Sequence, residues 1–182
     1  MTRSPGRRTA PAHVLDDHLA AEFVTRDVDA TMATMTGDPY LNHVPVMTGG
    51  TGREEVRRFY ENVFVGHWPR DTTTRRVSRT VGTDQVVDEL VMSFTHDIAM
   101  DHLLPGVPPT GRRVRLAVCV VAGFRDGKIT HEHIYWDQAS LLVQVGLLNP
   151  AGLPVVGAEQ AEKVLAPRAV PANALLGPAW RS

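Results

Sequence analysis

The stretch Lys128–Asp137 carries the densest run of groups able to move protons, with His131, His133, Tyr135 and Asp137 at alternate positions. Alternate side chains of an extended chain share a face, so these four point one way and Thr130, Glu132, Ile134 and Trp136 the other. A carboxylate, a phenol and two imidazoles around one hollow could enolise a carbonyl compound, which needs a base near the carbon acid and a donor near the oxygen. Burial raises a carboxylate pKa and makes the group a competent base near neutrality. Asp137 is therefore the first candidate for acid–base chemistry, with His133 beside it as donor or proton shuttle. A second role is open to Asp137, because it stands directly before an expected helix. As an N-cap it would accept N–H bonds, and these hold a carboxylate pKa down.

Other candidates lie upstream. Asn42 and His43 precede Pro45 in a short expected strand. Neighbours on a strand face opposite ways, so one of them points inward. His43 is favoured as a catalytic group polarising a substrate oxygen, and Asn42 is kept as a substrate contact. Glu89 lies mid-strand, where a buried carboxylate needs a partner. Arg79 in the preceding strand is a cross-strand candidate for that ion pair, and a substrate contact is the other reading. Tyr60, Trp68, Phe94 and Tyr135 are expected in a cavity wall or in plain core. His131 and His133 could hold a metal only with further ligands, for which His96, Asp97 and His102 are available. No metal is expected there. Cys119, between Val118 and Val120, reads as a small buried hydrophobe. Phosphate-loop, nucleophile-elbow and H-E-x-x-H patterns are absent from the sequence. Gly49-Gly50-Thr51-Gly52 before a helix reads as a turn.

The elements that must position these groups follow from periodicity. Leu15, Leu19 and Phe23 form an apolar stripe on a helix from about His13 to Thr25. A short helix follows Asp27, and Gly37-Asp38-Pro39 breaks it. Tyr40 to Val46 reads as a short strand, and Arg53 to Phe64 as a third helix. After Pro69 the period changes to two, giving strands Thr73–Gly82, Gln85–His96, Val114–Arg125 and Lys128–Trp136. Thr83-Asp84 and Asp126-Gly127 make tight hairpins, and Asp97 to Arg113 is a long loop able to act as a lid. A last helix covers Gln138 to Val145. Helices first and then a run of strands gives an α+β fold with a mostly antiparallel, curved sheet. Closed by three helices, such a sheet encloses a conical cavity suited to a small molecule.

Composition bounds the rest. The chain has 182 residues, 43% hydrophobic and 21% charged, enough for a core without staples. A net charge of −1 argues against nucleic acid as main partner. The single Cys119 excludes an internal disulfide, and no run approaches the roughly 18 apolar residues of a membrane helix. A membrane partner is not expected and the expected compartment is the cytoplasm. Residues 1–12 read as a disordered tail, 13–148 as the domain, and 149–182 as an arm packed on the domain or on a dimer partner.

The order of elements resembles the cone-shaped superfamily of nuclear transport factor 2 and ketosteroid isomerase. Asp126-Gly127-Lys128-Ile129 with His133-Ile134-Tyr135-Trp136-Asp137-Gln138 is similar to the last hairpin of SnoaL-like polyketide cyclases. Gly52-Arg53-Glu54-Glu55-Val56 with Phe59-Tyr60, and Pro109-Thr110-Gly111-Arg112, are further matches. The resemblance implies a cofactor-independent enzyme that closes rings by intramolecular aldol chemistry, with Asp137 at the position of the family's acid/base. It also implies a homodimer through the open sheet face. The family's companion histidine has no match in the strand Leu116 to Phe124. Two other readings stay open: a hydrolase activating water in the same cavity, and a non-catalytic ligand-binding or dimerisation module.

Overall fold

The computed structural model describes residues 10–176. Helix α1 spans Pro11–Ala20 and runs on as a π-helical turn, Ala21–Thr25. Pro11 opens it, which suits a ring that fixes φ and lacks an N–H. The helix therefore starts inside the segment assigned to a tail; residues 1–9 lie outside the described residues. Helix α2, Val28–Ala33, is capped by Asp27, whose side chain accepts from Ala30 N. Helix α3, Arg53–Phe59, also continues as a π turn, Tyr60–Phe64.

Six strands form one mixed sheet: β1 Met35–His43, β2 Thr48–Thr51, β3 Thr73–Val81, β4 Gln85–Thr95, β5 Arg113–Arg125 and β6 Lys128–Trp136. Their spatial order is β2-β1-β6-β5-β4-β3. β1 runs parallel to β6, and every other pair is antiparallel. The α+β architecture expected from the sequence is the one observed. Two local readings are corrected. Gly37-Asp38-Pro39 does not end a helix but lies within β1, where the register against β6 shifts between Met35 and Tyr40. Thr48-Gly49-Gly50-Thr51 is not a free turn but strand β2, paired with β1.

Bulges decide which side chains face the helices. On β6, Gly123 of β5 pairs with His131 and Phe124 with Ile129, so Thr130 is an extra residue. On β3, Arg76 pairs with Leu90 and Ser78 with Glu89, which makes Val77 extra. Each insertion reverses the inward and outward sets beyond it.

The loop 97–112 is not a loose lid. Met100, His102, Leu103 and Leu104 are buried, packed with Phe94, Leu116 and Leu141. Thr48 Oγ1 donates to the His102 carbonyl at 2.9 Å, tying the loop to β2. Helix α4, Gln138–Gln144, follows β6, and α5, Glu159–Leu165, packs on β5 and β4. Ser140 Oγ donates to the Gly157 carbonyl at 2.6 Å, so the described part of the arm is bound to the domain. Residues 177–182 lie outside the described residues. Among the described residues no helix is long and apolar enough to cross a membrane.

Asp137 is the N-cap of α4, accepting from Ser140 N at 3.1 Å. Asp137→Ala is expected to lower unfolding free energy by about 1 kcal/mol, and Asp137→Asn by only a few tenths. Urea denaturation of both variants checks this; equal losses would contradict the capping role.

Candidate functional site

The hollow between sheet and helices has a volume of about 530 Å³. Leu41, Leu90, Met92, Leu116, Val118 and Val120 make much of its wall, so it suits a mostly apolar occupant. α1 with its π turn contributes Leu19, Glu22 and Phe23; α3 with its π turn contributes Tyr60 and Phe64. π insertions in helices gather at functional sites, and here each carries one polar group of the cavity.

Those groups belong to a buried cluster. His18 Nε2 lies 3.1 Å from Glu22 Oε1, 3.2 Å from Glu132 Oε2 and 3.2 Å from the Tyr60 hydroxyl. Tyr60 also donates to Glu132 Oε2 at 3.3 Å. The opposite ring nitrogen is fixed by α2's end. Thr34 Oγ1 donates to the Thr31 carbonyl at 2.6 Å, so His18 Nδ1–H donates to Thr34 Oγ1, also at 2.6 Å. With Nδ1 committed as a donor, Nε2 is the nitrogen that takes or gives a proton among three oxygens.

The electrostatics separate the members. Burial works against a charge on His18, but Glu132 and Glu22 outweigh it and hold the imidazolium pKa well above the ordinary value. Burial dominates at Glu22 and raises its pKa, offset in part by His18. At Glu132 burial is outweighed by the attraction of His18 and the bonds from His18 and Tyr60, so its pKa is lowered. Tyr60 is pushed well above the usual phenol range by burial and by the two carboxylates. The arrangement favours an ionised Glu132, a cationic His18, a neutral Tyr60 and a Glu22 that holds its proton more tightly than an ordinary carboxyl. Two carboxylates with pKa values driven apart are the pattern of an acid–base pair.

One ligand atom each of His18, Glu22 and Glu132 falls within 4.8 Å of the others, so this set could also hold a divalent cation. An imidazolium cannot ligate, so a metal would have to displace the proton its carboxylates keep on His18. A separate ion pair neutralises the other buried acid of the wall. Asp88 takes Arg79 Nε and Nη2 on its two oxygens, each at 2.6 Å.

The sequence-derived candidates divide. His43, Tyr60 and Trp68 line the cavity. Phe94 is buried in the core beside the 97–112 loop and is not in the cavity wall. The set His131, His133, Tyr135 and Asp137 does not face the hollow, and the opposite set, Glu132, Ile134 and Trp136, does. The cause is the extra Thr130: Ile129 is inward, and strict alternation from it gives the wrong parity beyond the bulge. Tyr135 is 43% exposed, and Asp137 is exposed at the helix cap, away from the cavity. His133 and Asn42 pair in register on the outer face, with the Tyr40 ring against His133. Glu89 is also outside, accepting from Ser78 Oγ at 3.0 Å, while Arg79 pairs with Asp88 instead. Cys119 is half-buried on that outer face rather than in the core. The groups missed were His18, Glu22 and Glu132. The available signal was His18 and Glu22 four apart on one helix face, where Leu15 and Leu19 mark the buried stripe.

The cluster fixes a pH profile of stability. Raised values for His18 and Glu22 contribute stability that is lost as pH rises through them; the lowered Glu132 contributes stability that is lost in acid. Glu22 loses its contribution as pH rises from about 4.5, His18 as pH rises from about 6.5, and Glu132 as pH falls from about 4.5, so the wild-type contribution is greatest near pH 4.5. In His18→Gln the two carboxylates face each other without a cation and must bind protons. Stability of that variant is expected to fall more steeply than that of the wild type between about pH 4.5 and 6.5, read by denaturant titration across pH. Parallel curves for the two proteins would contradict the pairing.

Comparison with known proteins agrees with this architecture. Among solved structures, a SnoaL-like protein of proposed polyketide cyclase activity from Jannaschia sp. CCS1 superposes with TM-score 0.59 at 21% identity, covering 82% of this chain and 99% of its own. AclR from Streptomyces galilaeus, a proposed hydroxylase, gives 0.57 at 19% identity, covering 76% and 86%. A protein of ketosteroid isomerase-like fold from Catenulispora acidiphila DSM 44928, in complex with trimethylamine, gives 0.56 at 18% identity, covering 77% and 96%. These likenesses show the fold. No curated protein matches the sequence. The SnoaL-like domain profile matches residues 16–132, more than half of the chain, from within α1 to Glu132; the chain belongs to the SnoaL-like domain family.

Proposed function

We propose that this protein is an enzyme that binds a largely apolar carbonyl compound in the cone and transfers a proton at carbon, as in aldol ring closure or enol isomerisation. The observation that carries this reading is the His18–Glu22–Glu132–Tyr60 cluster at the wall of an otherwise apolar cavity. Asp137, solvent-exposed and engaged as a cap, is replaced in the role of acid/base.

Glu22 is the proton-transfer group. Its raised pKa brings it toward the operating pH, where a general acid or base is most effective. Ionised, it accepts the proton next to the carbonyl; protonated, it returns the proton to carbon or to an oxygen. Glu132 is a poorer base, because His18 and Tyr60 both stabilise its anion. Its task is to hold His18 as a cation beside Glu22. Tyr60 keeps its proton, and its single O–H, given to Glu132 Oε2 in the free protein, turns to a developing enolate oxygen when substrate is bound. The apolar walls exclude water, which strengthens each of these interactions. Ring closure of the kind proposed for the Jannaschia neighbour needs the same enolate-forming step.

Proton transfer at carbon is measurable without the natural substrate. The protein is expected to accelerate deuterium exchange at the α-carbons of 2-tetralone in heavy water, followed by NMR. Glu22→Gln is expected to slow that exchange by about 10²-fold or more, and Asp137→Asn to leave it unchanged. The wild-type rate is expected to rise with pH through a value above the ordinary Glu 4.5. Exchange no faster than in buffer, or unaffected by Glu22→Gln, would contradict the proposal.

A further inference from the structure

The cavity has a second polar station that the proton-transfer cluster does not use. His43 is only 3% exposed, lines the cavity, and its Nδ1 has no hydrogen-bond partner. Burial lowers the pKa of His43 to about 4, so the ring is neutral at physiological pH. Trp68 Nε1 is a buried donor without a partner, and Thr72 Oγ1 is a third unpartnered atom; both residues line the same cavity. His43 and Trp68 flank the same two rings. His43 is stacked on Phe64 at 5.6 Å and lies 6.2 Å from His102, while Trp68 lies 5.4 Å from Phe64 and 4.4 Å from His102.

Unpartnered buried polar atoms are uncommon, because each forfeits its hydration. Several in one apolar hollow indicate that something else completes them. Register gives their place relative to the proton-transfer cluster. Leu41 pairs with Glu132 and His43 with Ile134, so His43 stands one inward-facing step along the sheet from Glu132. That step is about 7 Å, the span of a few carbon–carbon bonds.

We infer that a hydroxyl of the substrate completes His43 Nδ1, and that the enzyme therefore selects a hydroxylated carbonyl compound whose hydroxyl lies several bonds from the carbon that exchanges its proton. A hydroxyl both donates and accepts, so it can bond Nδ1 in either tautomer of the neutral ring. Trp68 Nε1–H is available to donate to the same hydroxyl oxygen. This deepens the proposed function by naming a substrate feature, and it makes His43 a residue that sets specificity.

The test is a binding cycle with 9-phenanthrol and phenanthrene, which differ in one hydroxyl, against wild-type protein and His43→Phe, read by fluorescence titration. The ratio of the two dissociation constants is expected to shift by about tenfold toward the hydrocarbon in His43→Phe, with phenanthrene itself binding no worse. An unchanged ratio overturns the inference, as does failure of wild type to bind either compound. If the variant does not fold, the wild-type ¹⁵N signal of His43 Nδ1 decides. It moves on adding 9-phenanthrol and not on adding phenanthrene if the inference holds, and responds alike to both if it fails. Deuterium exchange on 2-tetralone does not depend on this hydroxyl contact. Loss of the selectivity with exchange intact refutes the station alone, and loss of exchange with the selectivity intact refutes the proton-transfer reading alone.

Discussion

One buried cation holds the floor of this cone together. Glu22 and Glu132 come from opposite layers, a helix and the sheet, and both are almost without solvent. Two carboxylates cannot share such a place unless something positive stands between them or one keeps a proton. His18 supplies the charge, and Glu22 holds its proton more tightly than an ordinary carboxyl. The helix layer and the sheet are thus joined by a contact whose protonation matters as much as its shape. Thr34 enters the same constraint, because its hydroxyl decides which imidazole nitrogen faces the acids.

The same residue type behaves in opposite ways at two ends of one cavity. His18 is held as a cation because two acids touch it. His43 and His102 are equally buried, but apolar rings surround them, and burial brings their pKa values to about 4 and about 3. His102 donates from Nδ1 to the Val63 carbonyl at 3.1 Å and leaves Nε2 unpartnered. A charged, proton-exchanging end and a neutral end lie within one apolar hollow. Such asymmetry orients an elongated ligand, with a carbon acid at one end and a polar substituent at the other.

Much of the fold was legible in the sequence because period and punctuation are local. The strands from Thr73 to Trp136, their two hairpins, the long loop and the Asp27 cap all follow from residue order. Parity was not legible. A single inserted residue at Thr130 turns His131, His133 and Tyr135 outward and Glu132, Ile134 and Trp136 inward, and Val77 does the same for the partner of Arg79. Bulges are set by pairing across strands, which no one-strand pattern records. The outer row of histidines drew attention because it is rich in functional groups, whereas Glu132 is the one acid in the alternate set Thr130, Glu132, Ile134 and Trp136. That isolation was the sign of a buried carboxylate in need of partners. Its partners, His18 and Tyr60, are 114 and 72 residues away in sequence.

The state of the cluster can be read directly by carbon and nitrogen NMR of the side chains across pH. His18 should remain an imidazolium at pH 7.5, with Nδ1 protonated throughout, and the Glu22 carboxyl signal should titrate above the ordinary value of 4.5 while Glu132 stays ionised below it. A His18 ring that loses its charge below 6.5, together with a Glu22 already ionised at pH 4.5, would contradict the account.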